Sequence, residues 1–320
     1  MTEEFCVLLL AVSNYFHEGF HLNTKALGYI LLLGVLFGSV TVTSRYLLTQ
    51  LEPITYTGMR LSMAALAYLI VYLLHIRGRR WPRDPVLWKR AIFFGAIGDA
   101  LPMMMIVGSM LYLSSGVTSI LTTFFPVVTV VMAHFLLTDE PLTRRKGIGV
   151  VMGLAGAVLI AALGETGLSE AATGSKTGYY FMGIASLIIG YTTIYARKYL
   201  NDYDTFDTVS IRMFSAAIVS VSLAVIIEGI DLHTLQPAGY LALVYAAFVV
   251  FFGFFLWFYV LQRFGVMISA MANYLPPIVA AFGGFVFLNE KITWGMVTGM
   301  GLIIAGVVVI NGSVKLQVKT

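Results

Sequence analysis

Apolar residues in this chain come in runs of about 20, separated by short polar stretches, with no sustained alternation of period two. A run of that length crosses roughly 30 Å of hydrocarbon at about 1.5 Å of rise per residue. Ten runs qualify, at about 27–48, 57–76, 89–112, 116–138, 144–163, 177–199, 206–228, 239–262, 266–288 and 293–312. Hydrocarbon offers backbone groups no water, so each run is expected to be α-helical; barrel strands would read as short alternating segments. The expected fold class is an all-α polytopic membrane protein with ten transmembrane helices.

Composition changes nothing in that picture. The chain is 59% hydrophobic and 11% charged, with a mean hydropathy of +0.88, whereas soluble domains carry about 25% charged residues. Short-loop Lys and Arg set the orientation. With the N-terminus inside, the cytoplasmic segments hold Lys25, the group Arg77, Arg79, Arg80, Arg83, Lys89 and Arg90, then Arg144, Arg145, Lys146, Arg197, Lys198, Arg263, Lys315 and Lys319. Only Arg45, Lys176 and Lys291 fall on the other side. Both termini are therefore expected in the cytoplasm, and the membrane is expected to be the cell (inner) membrane. The net charge of +4 follows from this orientation, and a single short basic loop, RGRRWPRDP, gives no support to nucleic-acid binding. The first 16 residues carry Glu3 and Glu4 without Lys or Arg, which is unlike a signal peptide. One cysteine, Cys6, excludes an intramolecular disulfide.

The phrase FFPVVTVVMAHFLLTDEPLT at 124–143 returns as YLPPIVAAFGGFVFLNEKIT at 274–293. A shift of 150 superimposes Ser119 on Ser269, Pro126 on Pro276, Glu140 on Glu290, Gly149 on Gly299 and Gly156 on Gly306. A shift of 152 aligns Gly38 with Gly190, Thr41 with Thr193, Arg45 with Arg197 and Arg60 with Arg212. The chain is thus an internal duplication. Each copy has five spans, an odd number, so the second is inserted upside down relative to the first. The expected organisation is an N-terminal extension at 1–26, a first five-helix repeat at 27–163, a linker at 164–176, a second repeat at 177–312 and a tail at 313–320.

The paired stretches PVVTVVMAHFLLTDEPLTRRKGIGVVMGLAGAVLI and PPIVAAFGGFVFLNEKITWGMVTGMGLIIAGVVVI resemble the drug/metabolite transporter superfamily, with two EamA-type repeats over residues 27–312. The resemblance implies alternating-access transport of a small metabolite, with export preferred over uptake. It does not imply a particular solute.

Candidate chemistry gathers near the expected midplane. Pro126, Pro276 and Pro277 each remove a helical hydrogen bond, freeing the carbonyls of Thr122, Ala272 and Asn273. An orphan carbonyl at that depth is tolerable inside protein or beside water. Thr122, Thr123, Asn273 and Tyr274, with Thr41 and Thr193, are read as solute-facing polar groups; the alternative is local back-bonding and close helix packing. Asp99, about 13 Å along a helix from Arg90, is expected to meet a proton or a solute cation, because no Lys or Arg is predicted at its depth; a structural hydrogen bond is the alternative. Pro102 adds the freed carbonyl of Gly98. Met103 shares the face of Asp99, and across from it Phe252, Trp257 and Tyr259, in a stripe with Phe248 and Phe255, suit an amphipathic or amine-bearing solute. Lipid contact is the alternative for any one ring. Two gating ion pairs are expected, Arg60 with Glu290 and Arg212 with Glu140, with snorkelling as the alternative.

His17, Glu18 and His21 match the H-E-x-x-H pattern of zinc proteases, but no third ligand is evident, and catalytic zinc takes three. A membrane metalloprotease is therefore the rival of another class. No phosphate-binding loop of the G-x-x-x-x-G-K-[ST] type is present. The reading is a non-enzymatic secondary transporter of small polar or amphipathic metabolites such as amino acids or amines, proton-coupled if Asp99 titrates, with a nucleotide-sugar or sugar-phosphate carrier as the rival within the superfamily. Its partners are a small-molecule solute and the bilayer, with a homodimer left open; no cofactor, metal or nucleic acid is expected.

Overall fold

The structure is a computed structural model that describes residues 24–137, 142–168, 175–230 and 235–311. Its helices are α1 Thr24–Leu47, α2 Pro53–Leu73, α3 Pro85–Ser109, α4 Ser115–Leu136, α5 Arg144–Ala162, α6 Ser175–Tyr199, α7 Thr205–Glu228, α8 Pro237–Met271, α9 Pro276–Leu288 and α10 Trp294–Asn311. The first eight each contain a stretch long and apolar enough to cross a membrane, and α9 and α10 are shorter apolar helices. There is no strand among the described residues. The protein is an all-α polytopic membrane protein built from two inverted halves, α1–α5 and α6–α10.

Local chemistry sets the helix ends. Pro53, Pro85, Pro237 and Pro276 open helices at the position where the missing N–H is not needed. Ser114, Thr143 and Asp204 each accept a hydrogen bond from a backbone N–H of the helix they precede.

The packing obeys the exchange of halves. α1 lies against α8 and α9, and its counterpart α6 lies against α3 and α4. α2 packs on α7, α4 on α9, and α5 on α10, each helix meeting its own repeat mate. The α5–α10 seam is the tightest: a Cβ on Gly149 would stand 2.5 Å from the Gly306 carbonyl oxygen, and one on Gly156 would stand 2.6 Å from that of Gly299. Outside this bundle, side chains such as Leu66, Val151, Ile218, Leu241 and Phe282 are exposed, which hydrocarbon tolerates and water does not.

Expected boundaries differ most at the α8–α9 connection, where α9 begins at Pro276 rather than 266, and at the starts of α2, at Pro53 rather than 57, and α3. The loop expected at about 263–265 is helical, because 258–271 contains no proline and α8 runs on until the turn before Pro276. α3 begins at Pro85 rather than 89, where proline and the Asp84 cap favour a helix start.

Candidate functional site

A turn precedes the duplicated proline in both repeats, inside α4 in the first and between α8 and α9 in the second. In α4 the chain is helical over Ser115–Thr122, turns at Thr123 and Phe124, and resumes at Phe125–Leu136 with Pro126 in its first turn. In the second half the turn is Ala272–Leu275 and Pro276 restarts the helix. The two turns close alike: Val127 N–H donates to the Phe124 carbonyl at 2.9 Å, and Ile278 N–H to the Leu275 carbonyl at 3.1 Å. At the first turn the Thr122 hydroxyl donates to the Ser119 carbonyl at 2.7 Å and the Thr123 hydroxyl to the Ile120 carbonyl at 2.6 Å. Asn273 and Tyr274 are half-buried in the second turn.

Asp99 is not free. Arg212 on α7 donates from Nε to Asp99 Oδ2 at 2.9 Å and from Nη2 to Oδ1 at 2.8 Å. Both side chains are buried, and the guanidinium lies 3.8 Å from the centroid of the Phe94 ring. The expectation that no basic residue reaches Asp99 is therefore corrected. Counting rise along a helix gave Asp99 and Arg212 different depths, but rise measures position on one helix and not the height at which two packed helices pass each other. The middle of α3, Phe94–Ala100, is a wide π-helical segment, a form that accommodates the missing N–H of Pro102. Gly95 in that segment lies against the Arg212 backbone, where any Cβ would collide with the Arg212 carbonyl. Ser215 Oγ on α7 donates to the Ile92 carbonyl at 2.8 Å, next to the widened turn.

The repeat mate of Arg212 has no such partner. Arg60 on α2 is 7% exposed. Its Nη1 lies 3.4 Å from both Ser44 Oγ and Tyr56 OH, and its Nε has no hydrogen-bond partner. The Tyr56 ring sits 4.9 Å below the guanidinium. The expected pair with Glu290 is not made, because Glu290 is spent on a helix end.

Glu290 Oε1 accepts from the Ser115 N–H at 2.9 Å and Oε2 from the Ser115 hydroxyl at 2.6 Å, at the N-terminus of α4. Asn289, in the left-handed conformation at φ 56°, turns the chain after α9 and brings Glu290 back to this position. A buried carboxylate at a helix N-terminus answers both orphan N–H groups and the helix dipole. Two more carboxylates bind at helix starts at this end of the bundle, Glu228 through N–H groups and Glu165 through a capping hydroxyl. Glu228, at the close of α7, accepts from the N–H groups of Ile54 and Thr55 at 2.9 and 2.7 Å, at the start of α2. Glu165 accepts from the hydroxyl of Thr293 at 2.6 Å, just before α10. The segment around 166–167 closes over them, with Ser114 N–H donating to the Thr166 carbonyl and Lys291 N–H to that of Gly167, each at 2.7 Å. The sequence singled out only Glu290 of these three; Glu165 and Glu228 each stand beside a Gly at a helix end, a signal that marks a terminus but not its partner. Glu140, the expected partner of Arg212, lies outside the described residues, as do His17, Glu18 and His21.

The EamA-like transporter family matches at residues 24–162 and again at 176–312. The chain belongs to the EamA-like transporter family. It falls within the drug/metabolite transporter superfamily. An uncharacterized transporter of Archaeoglobus fulgidus is 22% identical over 88% of this chain and 97% of its own length. The uncharacterized transporter YoaV of Bacillus subtilis is 22% identical over 87% and 94%. Protein PecM of Dickeya dadantii is 24% identical over 84% and 88%. One solved crystal structure superposes with a TM-score of 0.64 at 16% identity, covering 90% of this chain and 98% of that one, a likeness of fold.

In this EamA protein the other residues singled out by sequence do not form one wall. Met103 packs beside Leu61 and Tyr68. Phe252, stacked on Phe248 at 5.5 Å, and Trp257 pack on the α1 cluster around Leu33, whereas Phe255 turns to Phe206. Phe248 and Tyr259 are exposed. One face of α8 therefore serves two clusters and the bundle exterior, because a 35-residue helix passes several neighbours. Thr41 is half-buried and donates to the Phe37 carbonyl at 2.8 Å. Its mate Thr193 is exposed and donates to the Ile189 carbonyl at 2.7 Å.

Proposed function

We propose that this EamA protein is a secondary transporter that exports small polar or amphipathic metabolites, such as amino acids or amines, by alternating access. The observation that supports this most is the turn before the duplicated proline in each inverted half, within α4 in the first and between α8 and α9 in the second, with α4 fastened by a carboxylate from the second half. Two inverted halves packed helix against repeat mate can rock about a site between them, and a turn there presents backbone polar groups to a solute. Glu165, Glu228 and Glu290 fasten the halves at the linker end, and Arg79 with Asp204 and Tyr72 with Asp207 fasten them at the end that carries the basic loops. By the distribution of Lys and Arg that end faces the cytoplasm of a cell (inner) membrane, and both termini lie there.

Purified protein in proteoliposomes, given a panel of amino acids, amines and sugar phosphates with and without a pH gradient, tests the proposal. Saturable movement of an amino acid or amine that the empty vesicle does not show is expected. Movement of sugar phosphates alone would replace this reading with the nucleotide-sugar or sugar-phosphate rival.

A further inference from the structure

Arg60 and Arg212 are aligned by the duplication, yet only Arg212 has been given a carboxylate. The positions 150 to 152 residues on from Asp99 are Val249, Val250 and Phe251, so the second repeat carries no acid at the place equivalent to Asp99. What surrounds Arg60 is hydroxyl oxygen. The Ser44 hydroxyl sits 2.7 Å from the Val40 carbonyl, to which it donates, and 2.7 Å from Tyr56 OH. Both lie at the long limit of hydrogen bonding from Arg60, at 3.4 Å. Thr57, one helical turn before Arg60 and fully buried, also has an Oγ1 with no partner. A buried guanidinium without an anion and a buried hydroxyl without a partner are each costly and rare. Their coincidence on one face of α2 marks a place that something else completes.

We propose that Arg60 receives a carboxylate of the transported solute, with the Thr57 hydroxyl as a second donor, in the geometry that Asp99 supplies to Arg212 from within the chain. This rests on the transporter reading above and names its substrate class as carboxylate-bearing. The guanidinium fork matches a carboxylate with two parallel N–H donors. A phosphate dianion would call for a second cation, and the neighbouring Arg45 is committed, its Nη1 donating to the Met110 carbonyl at 2.5 Å.

The test uses full-length protein in nanodiscs treated with phenylglyoxal, an arginine reagent, with the rate at Arg60 followed by peptide mass spectrometry and Arg212 as internal reference. The probes are acetate and L-phenylalanine against methylammonium and 2-phenylethylamine, with inorganic phosphate as a third arm. Acetate or L-phenylalanine at about ten times its half-protecting concentration should slow modification of Arg60 about tenfold by mass action, while both amines leave it unchanged. Arg60→Lys, which keeps the charge and loses the fork, should weaken L-phenylalanine binding by a similar factor. An unreactive Arg60, equal protection by the amines, or stronger protection by phosphate than by acetate would each overturn the proposal. Parallel uptake in proteoliposomes separates the two readings. Protection without movement of any solute removes the transporter while leaving the site; movement of carboxylates that Arg60→Lys does not affect removes the site alone.

Discussion

Arg212 and Arg60 occupy equivalent places in two copies of one five-helix unit, but their surroundings have diverged. Around Arg212 the chain has built a closed, bidentate pair with Asp99, backed by an aromatic ring and a glycine that lets α3 and α7 touch. Around Arg60 it has kept the charge and placed only hydroxyls and a tyrosine ring nearby. Duplication explains why both arginines exist. The second half uses its arginine to hold α7 to α3; the first holds its arginine against hydroxyls with Nε unpaired.

The largest test of that contrast is Asp99→Asn. It strands Arg212 as a buried unpaired charge and should lower unfolding stability by about 3–5 kcal/mol, seen as a lost thermal transition in detergent. The double change Asp99→Leu with Arg212→Met should recover most of the loss, since an apolar pair of similar volume often replaces a buried ion pair at little cost. Next comes Glu290→Gln, which weakens charge-assisted bonds at the start of α4 and should cost about 1.5–3 kcal/mol by the same assay. Smallest is Arg60→Met. With no carboxylate to lose, it should change stability by less than about 1 kcal/mol. Equal losses for Asp99→Asn and Arg60→Met would erase the distinction between the two sites.

Much of the architecture was legible from sequence. Apolar runs of membrane-crossing length, an odd number of them per repeat, and Pro126 aligned with Pro276 determine the inverted halves and the proline turns, because hydrocarbon leaves the backbone few alternatives. The ionic partners were not legible. Asp99 and Arg212 meet because the π-helical segment of α3 packs against α7, a relation between helices that a count of residues along one of them does not register. Glu290 was recognisable as a charge near a membrane end. That it would cap α4 rather than meet Arg60 depends on Asn289 turning the chain back, a backbone detail carried by one residue. The aromatic stripe of α8 shared a helix face, but a face does not say how many neighbours a long helix passes.

In alternating access, water and solute reach the proline turns of the two halves from one side at a time. Single cysteines at Thr122→Cys and Asn273→Cys, in a Cys6→Ser background, can be labelled with a membrane-impermeant methanethiosulfonate in right-side-out and inside-out vesicles. Labelling of both positions from one side only, shifting to the other side when Glu290→Gln releases α4, is the expected result. Positions sealed to reagent from both sides, with and without Glu290→Gln, would contradict it.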